Sequence, residues 1–534
     1  MQQRPQQSAQ LVMDFIRNCK QRRGTKVADA TGAELTGRAL LMRTLILRRL
    51  LRRHVLGSGE SHVGLLLPPS VGGVVGNMAL ALDGRVAVNL NYTMSSDVLN
   101  TCIEQAGIRH VLTSQKFMEK MSFDLNTEIV HLEDLRPNLR LSDKLVSALG
   151  AYAMPAGILA RSLGQARTPS TDVLTVIFTS GSTGTPKGVM LTHANIASQV
   201  DAIDQVVKLT SQDVMMGILP FFHSLGYSVT LWTVMATDVQ GAYHFNPTDA
   251  RQIGKLCERH GGTILLSTPT FLRNYLRRCE KSQFATLDVV VAGAEKLPKE
   301  LSDAFQEKFG VRPVEGYGAT ELSPLVSVNI PRSRSPDSDQ VNAKEGSVGR
   351  PVHDVRAKIV DLESGEELGA GRSGMLMITG PNVMKGYLGR DDLTSEVIRD
   401  GWYVTGDVAM LDEDGFIYIT GRESRFSKIG GEMVPHIKIE EELNKLIGAS
   451  EEEGPKAVVT AIPDVKRGER LIVIHSKLDQ TPDELRKGLS EAGLPNLFIP
   501  AADGFYEVDE LPVLGSGKLD LKALKQIALE RSGR

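Results

Sequence analysis

Between Ser61 and Glu321, short runs of β-branched and apolar residues alternate with stretches patterned for helix. This alternation limits the fold more than any other feature of the chain. Runs at 63–67, 173–178, 263–266 and 289–291 are each followed by a helical stretch. The stretch from Thr248 to His260, for example, has Asn246-Pro247 before it and Gly261-Gly262 after it. Strands separated by helices pair in parallel, with the helices covering the sheet. From about 346 to 421 strands shorten and glycine turns multiply (Ser364-Gly365, Asp414-Gly415), the pattern of an antiparallel β subdomain. A charged joint follows, and the remaining residues alternate again. One of their helices opens on Thr481-Pro482-Asp483-Glu484, a capping-box layout. The expected class is α/β. A large N-terminal domain of helix-covered sheets spans 1–421, with its β subdomain at 346–421. A hinge at 422–430 then leads to a small, mobile α+β cap at 431–534.

Such sheets need a large core, and 534 residues at 41% hydrophobic supply one, which excludes a disordered chain. Lys and Arg (61) nearly balance Asp and Glu (64), so nucleic-acid binding by bulk charge is excluded. Cys19, Cys102, Cys257 and Cys279 form no CxxC pair, which points to a reducing compartment. No secretory signal and no spanning helix is read. The uncharged stretch 145–160 is interrupted by Gly150, Pro155 and Gly157. It is expected to lie on a membrane surface or to serve as a buried or disordered connector. Cytoplasmic location is expected, with peripheral contact at the inner membrane face as the variant.

The most informative segment follows the run 173–178: Thr179, Ser180, Gly181, Ser182, Thr183, Gly184, Thr185, Pro186, Lys187, Gly188. Its glycines let backbone N–H groups turn toward an anion, five hydroxyls add donors, and Lys187 adds charge, as a polyphosphate requires. Pro186 stands where a Walker A loop needs glycine. Further motifs follow in order: Gly293-Ala294-Glu295, Glu315-Gly316-Tyr317-Gly318-Ala319-Thr320-Glu321, Tyr403-Val404-Thr405-Gly406-Asp407, Gly421-Arg422 and Gly515-Ser516-Gly517-Lys518.

This ordered set resembles the adenylate-forming superfamily of acyl-CoA synthetases, adenylation domains and luciferases, across essentially the whole chain. The resemblance implies ATP and Mg²⁺ as cofactors. It assigns the 179–188 loop to the ATP phosphates and Gly293, Ala294, Glu295, Gly316, Tyr317 and Gly318 to adenine. Asp407 and Arg422 fall to the ribose, and Glu321 to the metal. Thr320, Glu321, His223 and Lys518 are the implied catalytic residues, with Lys518 reaching the α-phosphate and the substrate carboxylate. Arg425 stands at the hinge position, usually Asp or Lys in the family. Lys428 and Gly431 belong to the face serving the second half-reaction.

Pro220-Phe221-Phe222-His223-Ser224-Leu225-Gly226 resembles the family's gate beside the acid pocket, and no acidic residue occurs from Met215 to Thr237. That absence argues for an uncharged acyl tail, with 227–236 and 268–272 as candidate tunnel walls. Longer strings, such as Arg425 to Val434, are similar to the synthetase half of the bacterial bifunctional 2-acylglycerophosphoethanolamine acyltransferase/acyl-ACP synthetase. Lys438 departs from a Glu-x-Glu pair of which Glu440 keeps the second member. The first expectation is therefore fatty-acid activation with transfer to acyl carrier protein, any lysolipid acyltransferase being a separate protein. The alternative is a medium- or long-chain acyl-CoA ligase. A luciferase-like oxygenase and an inactive lipid-binding scaffold are the other classes. Arg38, Arg43, Arg48, Arg49, Arg52 and Arg53 form a basic helix, read either as a solvated face or as a docking site for an acidic carrier or anionic lipid.

Overall fold

The computed structural model describes residues 10–119, 121–179, 185–335, 341–430, 432–449, 455–464, 467–513 and 519–532. Two large sheets carry the N-terminal part. In the seven-stranded one, Val86–Asn89, His62–Leu65, His110–Thr113 and Glu128–His131 run parallel. In the nine-stranded one, Thr25–Asp29, Gln240–Tyr243, Val214–Gly217, Ile264–Ser267, Val289–Ala292 and Val314–Gly318 run parallel. Helices cover them, and one core of buried aliphatic and aromatic side chains is shared by strands and helices of both. Ala250–His260 shows why the alternating pattern folds this way. The Asp249 carboxylate caps its N-terminus by accepting from the Gln252 N–H. Ile253, Leu256 and Cys257 face the core, and Gly261 in the left-handed region ends it. Each such buried aliphatic contributes roughly 1.5–3 kcal/mol.

Val173–Thr179 pairs parallel with Val86–Asn89, as the alternation predicts. Its other neighbour, Lys187–Thr192, which the alternation does not signal, runs antiparallel, with Thr179 opposite Lys187. Thr179 and Lys187, which flank the Ser/Thr/Gly segment, are thus both fixed by the sheet. Gly188 on the second strand lies tight against Val176 and Phe178, where a Cβ would sit 3.0–3.1 Å from their side chains.

Arg356–Val360, Ser373–Thr379, Trp402–Leu411, Ile398–Arg399 and Ile417–Arg422 form an antiparallel sheet. Two short strands from the same stretch leave it for the large sheets: Arg350–Pro351 pairs Leu325–Val328, and Gly386–Tyr387 pairs Lys187–Thr192. The C-terminal part is a smaller β/α unit. Phe426–Ile429, Glu432–Pro435, Gly468–His475, Ala457–Asp464 and Phe505–Glu507 form its sheet, and His436–Ile447, Pro482–Glu491 and Leu521–Arg531 its helices. The Thr481/Glu484 capping box is present.

The stretch 145–160 is neither buried nor a loose connector. It is a helical strap, Leu141–Ala148 continuing through a π turn at Leu149–Ala153 to Ala156–Ser162, laid first on the helix Gly37–His54 and at its end on the helix Gln10–Gln21. Among the described residues no helix is long and apolar enough to cross a membrane. The four cysteines are unpaired and buried.

Candidate active site

Lys187 opens its strand beside Gly386–Tyr387, and its ammonium lies 4.9 Å from the Tyr387 ring centroid. The Tyr387 hydroxyl donates to Glu321 Oε1 at 2.7 Å. Glu321 sits in the short turn Thr320–Leu322, where its carbonyl accepts from the Met384 N–H at 2.8 Å. Burial, and then the Glu321 charge, push the Tyr387 and Tyr403 phenols well above their usual range, so both remain protonated beside the carboxylate. On the other side of the turn, Thr320 Oγ1 lies 3.2 Å from Ser224 Oγ. His223, next along the chain, is exposed and its ring lies 4.5 Å from that of Phe222. Lys187, Glu321, Thr320 and His223 therefore gather along one edge. Ser180, Gly181, Ser182, Thr183 and Gly184 lie outside the described residues, while Thr179 is held opposite Lys187.

A second group forms at the carboxyl ends of neighbouring parallel strands, where open α/β sheets bind ligands. Gly293 follows Val289–Ala292, and an added Cβ there would approach only the Gly316 carbonyl, at 3.6 Å. Ala294 has φ +69°, a strained backbone for a non-glycine residue. Glu295 Oε2 accepts from Thr270 Oγ1 at 2.8 Å. At Gly318 a Cβ would stand 2.1 Å from the Pro324 carbonyl oxygen, so no larger residue fits. Between these glycines Tyr317 reaches across to Asp407: its hydroxyl donates to Oδ2 at 2.5 Å. Asp407 and Arg422 are cross-strand neighbours, and Arg422 Nε donates to Oδ1 at 2.9 Å. The Asp407 side chain is 8% exposed and that of Arg422 71%, so the carboxylate is fixed from below while the guanidinium faces outward. Burial first, and Asp407 second, push the Tyr317 phenol well up. Tyr317 is thus tied to the carboxylate as well as flanked by the adenine-motif glycines.

At the joint, Arg425 is buried and paired with Glu440 on the helix His436–Ile447, and Glu440 Oε1 also accepts from the Val459 N–H at 2.5 Å. Burial raises the Glu440 carboxyl despite Arg425. Lys428 is on the outer side of the C-terminal sheet and pairs with Glu363 of the β subdomain, both exposed. Gly431 and Lys518 lie outside the described residues. The apolar run 227–236 is mostly a π-helix, Leu225–Thr233, whose Tyr227, Leu231 and Trp232 are enclosed in the core. That leaves its N-terminal end, at His223 and Leu225, as the part facing the site.

Sequence reasoning missed Tyr387 altogether and gave no role to Tyr403 or to the Arg425–Glu440 pair. The pairing of Gly386–Tyr387 with the lysine strand brings Tyr387 in, and no local spacing signals it.

The chain is 31% identical over 364 residues to a long-chain-fatty-acid–CoA ligase of Bacillus subtilis, a match covering 66% of this chain and 61% of that protein. It is 28% identical over 498 residues to a mitochondrial medium-chain acyl-CoA ligase of Rattus norvegicus, covering 87% and 78%. Among solved structures, ATP-bound MatB from Rhodopseudomonas palustris shares the fold with a TM-score of 0.76 at 24% identity, over 97% of this chain and 99% of that one. The family model for AMP-binding enzymes matches residues 15–388. The chain belongs to that AMP-binding enzyme family, and it is an AMP-forming ligase.

Proposed function

We propose that the protein activates a fatty acid with ATP and joins it to the thiol of CoA. In the first half-reaction a carboxylate oxygen attacks the α-phosphorus, the bond to the bridging oxygen breaks, and pyrophosphate leaves acyl-AMP behind. In the second the thiol sulfur attacks the acyl carbon, AMP departs with the bonding pair, and the thiol proton passes to solvent. The observation that carries this reading is the Thr320–Ser224 contact at 3.2 Å. It joins the Lys187–Tyr387–Glu321 edge, suited to phosphates, to a His223 segment without acidic side chains, suited to an uncharged acyl tail. Asp407, held by Tyr317 and Arg422, is the ribose acceptor in this scheme. Lys187 and the 179–184 hydroxyls and amides hold the phosphates. Gly293 to Glu295 and Gly316 to Gly318 leave room for the adenine edge.

The donor set at Glu321 fits Mg²⁺, which is commonly held by one or two carboxylates together with substrate phosphates. When bound, the ion would neutralise charge on those phosphates. Tyr387 orients the Glu321 carboxylate through its hydroxyl. The segment 422–430 acts as a hinge for the cap at 431–534, which brings Lys518 to the reacting carboxylate for the first step and Lys428 and Gly431 to the second. Cytoplasmic ATP and CoA would supply the reaction.

CoA replaces carrier protein as the favoured acceptor because the relatives named above are CoA ligases. The test offers CoA and holo-carrier protein side by side with a fatty-acid panel, using the wild type and Lys518→Ala. Acyl-CoA from the wild type, and lost pyrophosphate exchange in Lys518→Ala with thiolation of pre-made acyl-AMP retained, is the expected result. Acyl-carrier protein as the dominant product would overturn the acceptor. Undiminished exchange in the variant would overturn the role of Lys518.

A further inference from the structure

Six of the ten large apolar side chains that stand exposed among the described residues lie in the strap 141–162. Leu141, Leu145, Leu149 and Tyr152 are 72, 62, 56 and 50% exposed, and their spacing puts them on one face, with Val146 and Ile158 beside them. The opposite face, pressed on the protein, is small and polar: Asp143, Ser147, Gly150 and Ala151. The amphipathic pattern is inverted. The inward orientation is fixed by specific contacts. Asp143 accepts from Arg49 Nε at 3.1 Å and from Arg53 Nη1 and Nη2 at 2.9 and 2.8 Å, and those two guanidinium groups hold its carboxyl well below the usual range despite its burial. Lys20 donates to the Gly150 and Ala151 carbonyls at 2.6 and 2.9 Å, and a Cβ on Gly150 would stand 3.1 Å from Leu45. The strap cannot roll over to hide its leucines without breaking these bonds.

The charges around the stripe all have one sign outward. Arg140, Lys144 and Arg161 are exposed, and Asp143 is the single acid from 140 to 167. The Arg38 guanidinium lies 5.9 Å from the Tyr152 ring centroid. Beside the strap, Arg48, Arg49, Arg52 and Arg53 line a shallow groove, and with Arg85 these five cations share only Asp83 and Asp143. An apolar stripe of this size rimmed by cations matches the boundary of an anionic bilayer, with leucines among the upper acyl carbons and guanidinium groups at the headgroups. A second copy of the chain fits worse, because two-fold contact would set these cations against themselves.

We propose that this strap docks the protein on anionic lipid surfaces. The inference stands on the surface alone and holds whichever acid and thiol the enzyme uses. The test is flotation of the purified full-length chain with vesicles of phosphatidylcholine alone or mixed with phosphatidylglycerol. The wild type should float with the anionic vesicles, at least about tenfold better than with the neutral ones, and less as salt rises. Leu145→Gln/Leu149→Gln and Arg140→Glu/Lys144→Glu should each cut flotation about tenfold or more. Val341→Gln, an exposed apolar site elsewhere, should not change it. Pyrophosphate exchange without vesicles should be the same in all of them, which separates this proposal from the catalytic reading. A wild type that stays unbound, or a leucine variant that floats as the wild type does, overturns the proposal. So does a wild-type dimer in sedimentation that the leucine variant dissociates.

Discussion

Asp407 offers the sharpest test of the nucleotide site because its two carboxylate oxygens have different partners. Oδ2 accepts from the Tyr317 hydroxyl at 2.5 Å and Oδ1 from Arg422 Nε at 2.9 Å. In Asp407→Asn the amide oxygen can face Arg422, which only donates, while the amide nitrogen donates to the Tyr317 oxygen, which can accept. Both contacts survive without charge, so folding stability should fall by only about 1 kcal/mol. In Asp407→Ala the buried Tyr317 hydroxyl loses its acceptor, and the loss should rise to about 2–4 kcal/mol. ATP binding follows a different order. A ribose hydroxyl bonded to a carboxylate contributes about 1.5–3 kcal/mol, so either variant should raise the KM for ATP roughly 10- to 150-fold. ATP-dependent pyrophosphate exchange measures the KM, and thermal unfolding measures the stability. If both variants lose stability in the stated order while the KM for ATP moves less than about twofold, Asp407 is a strut between Tyr317 and Arg422 and the ribose assignment fails.

Arg425→Met leaves Glu440 buried without its cation and should cost roughly 3–5 kcal/mol, whereas Arg425→Met/Glu440→Leu should recover most of that; a double-mutant cycle in denaturant that shows additive losses would refute the pairing. His193 and His436 are buried, and burial, helped at His436 by Arg425, lowers them to about 4 and about 3. A histidine held below its unfolded value contributes stability that is fully present above about 6.5 and is lost as pH falls toward the folded value, by about 1.4 kcal/mol per pH unit for each group. Unfolding midpoints should therefore drop between pH 6.5 and 4.5, and His436→Gln should flatten that slope. An unchanged slope would show that other groups set the acid limit.

Candidate residues could be singled out in short strings because backbone geometry and side-chain type are both local there. The loop from Thr179 to Lys187, the Tyr317 glycines and the Asp407 strand each need particular residues within a few positions. Their mutual arrangement was not legible. Tyr317 and Asp407 are 90 residues apart and in different sheets, and Tyr387 and Glu321 are 66 apart, so only the packing of separate elements unites them. The alternating pattern predicted parallel sheets correctly for the strands flanked by helices. It could not reveal that Val173–Thr179 pairs antiparallel with Lys187–Thr192, because a seven-residue connection rich in glycine suits either a turn or a ligand loop.

The departure at Arg425 and the retained Glu440 turn out to be physically linked, and the strap shows the limit of patterning. Arg425 at the joint is accommodated because the retained Glu440 meets it inside the C-terminal unit. A charged residue there is therefore bound to its own unit rather than free at a surface. If segment 422–430 is the hinge, motion must occur around Arg425 with its pair intact, since separating a buried arginine from its carboxylate costs several kcal/mol. The Lys428–Glu363 pair is exposed at both ends and worth at most about 1 kcal/mol, so it is the contact that can break and reform. In the strap, hydrophobic periodicity alone would turn Leu141, Leu145 and Leu149 inward. The partly exposed partners Arg49 and Arg53 decide otherwise: Asp143 left facing solvent would abandon two guanidinium groups. A surface leucine contributes little to folding by staying exposed, whereas a carboxylate that satisfies three charge-assisted hydrogen bonds contributes several kcal/mol by turning in. Ion pairing thus sets the orientation of the strap, and hydrophobicity is left over for whatever meets the strap from outside.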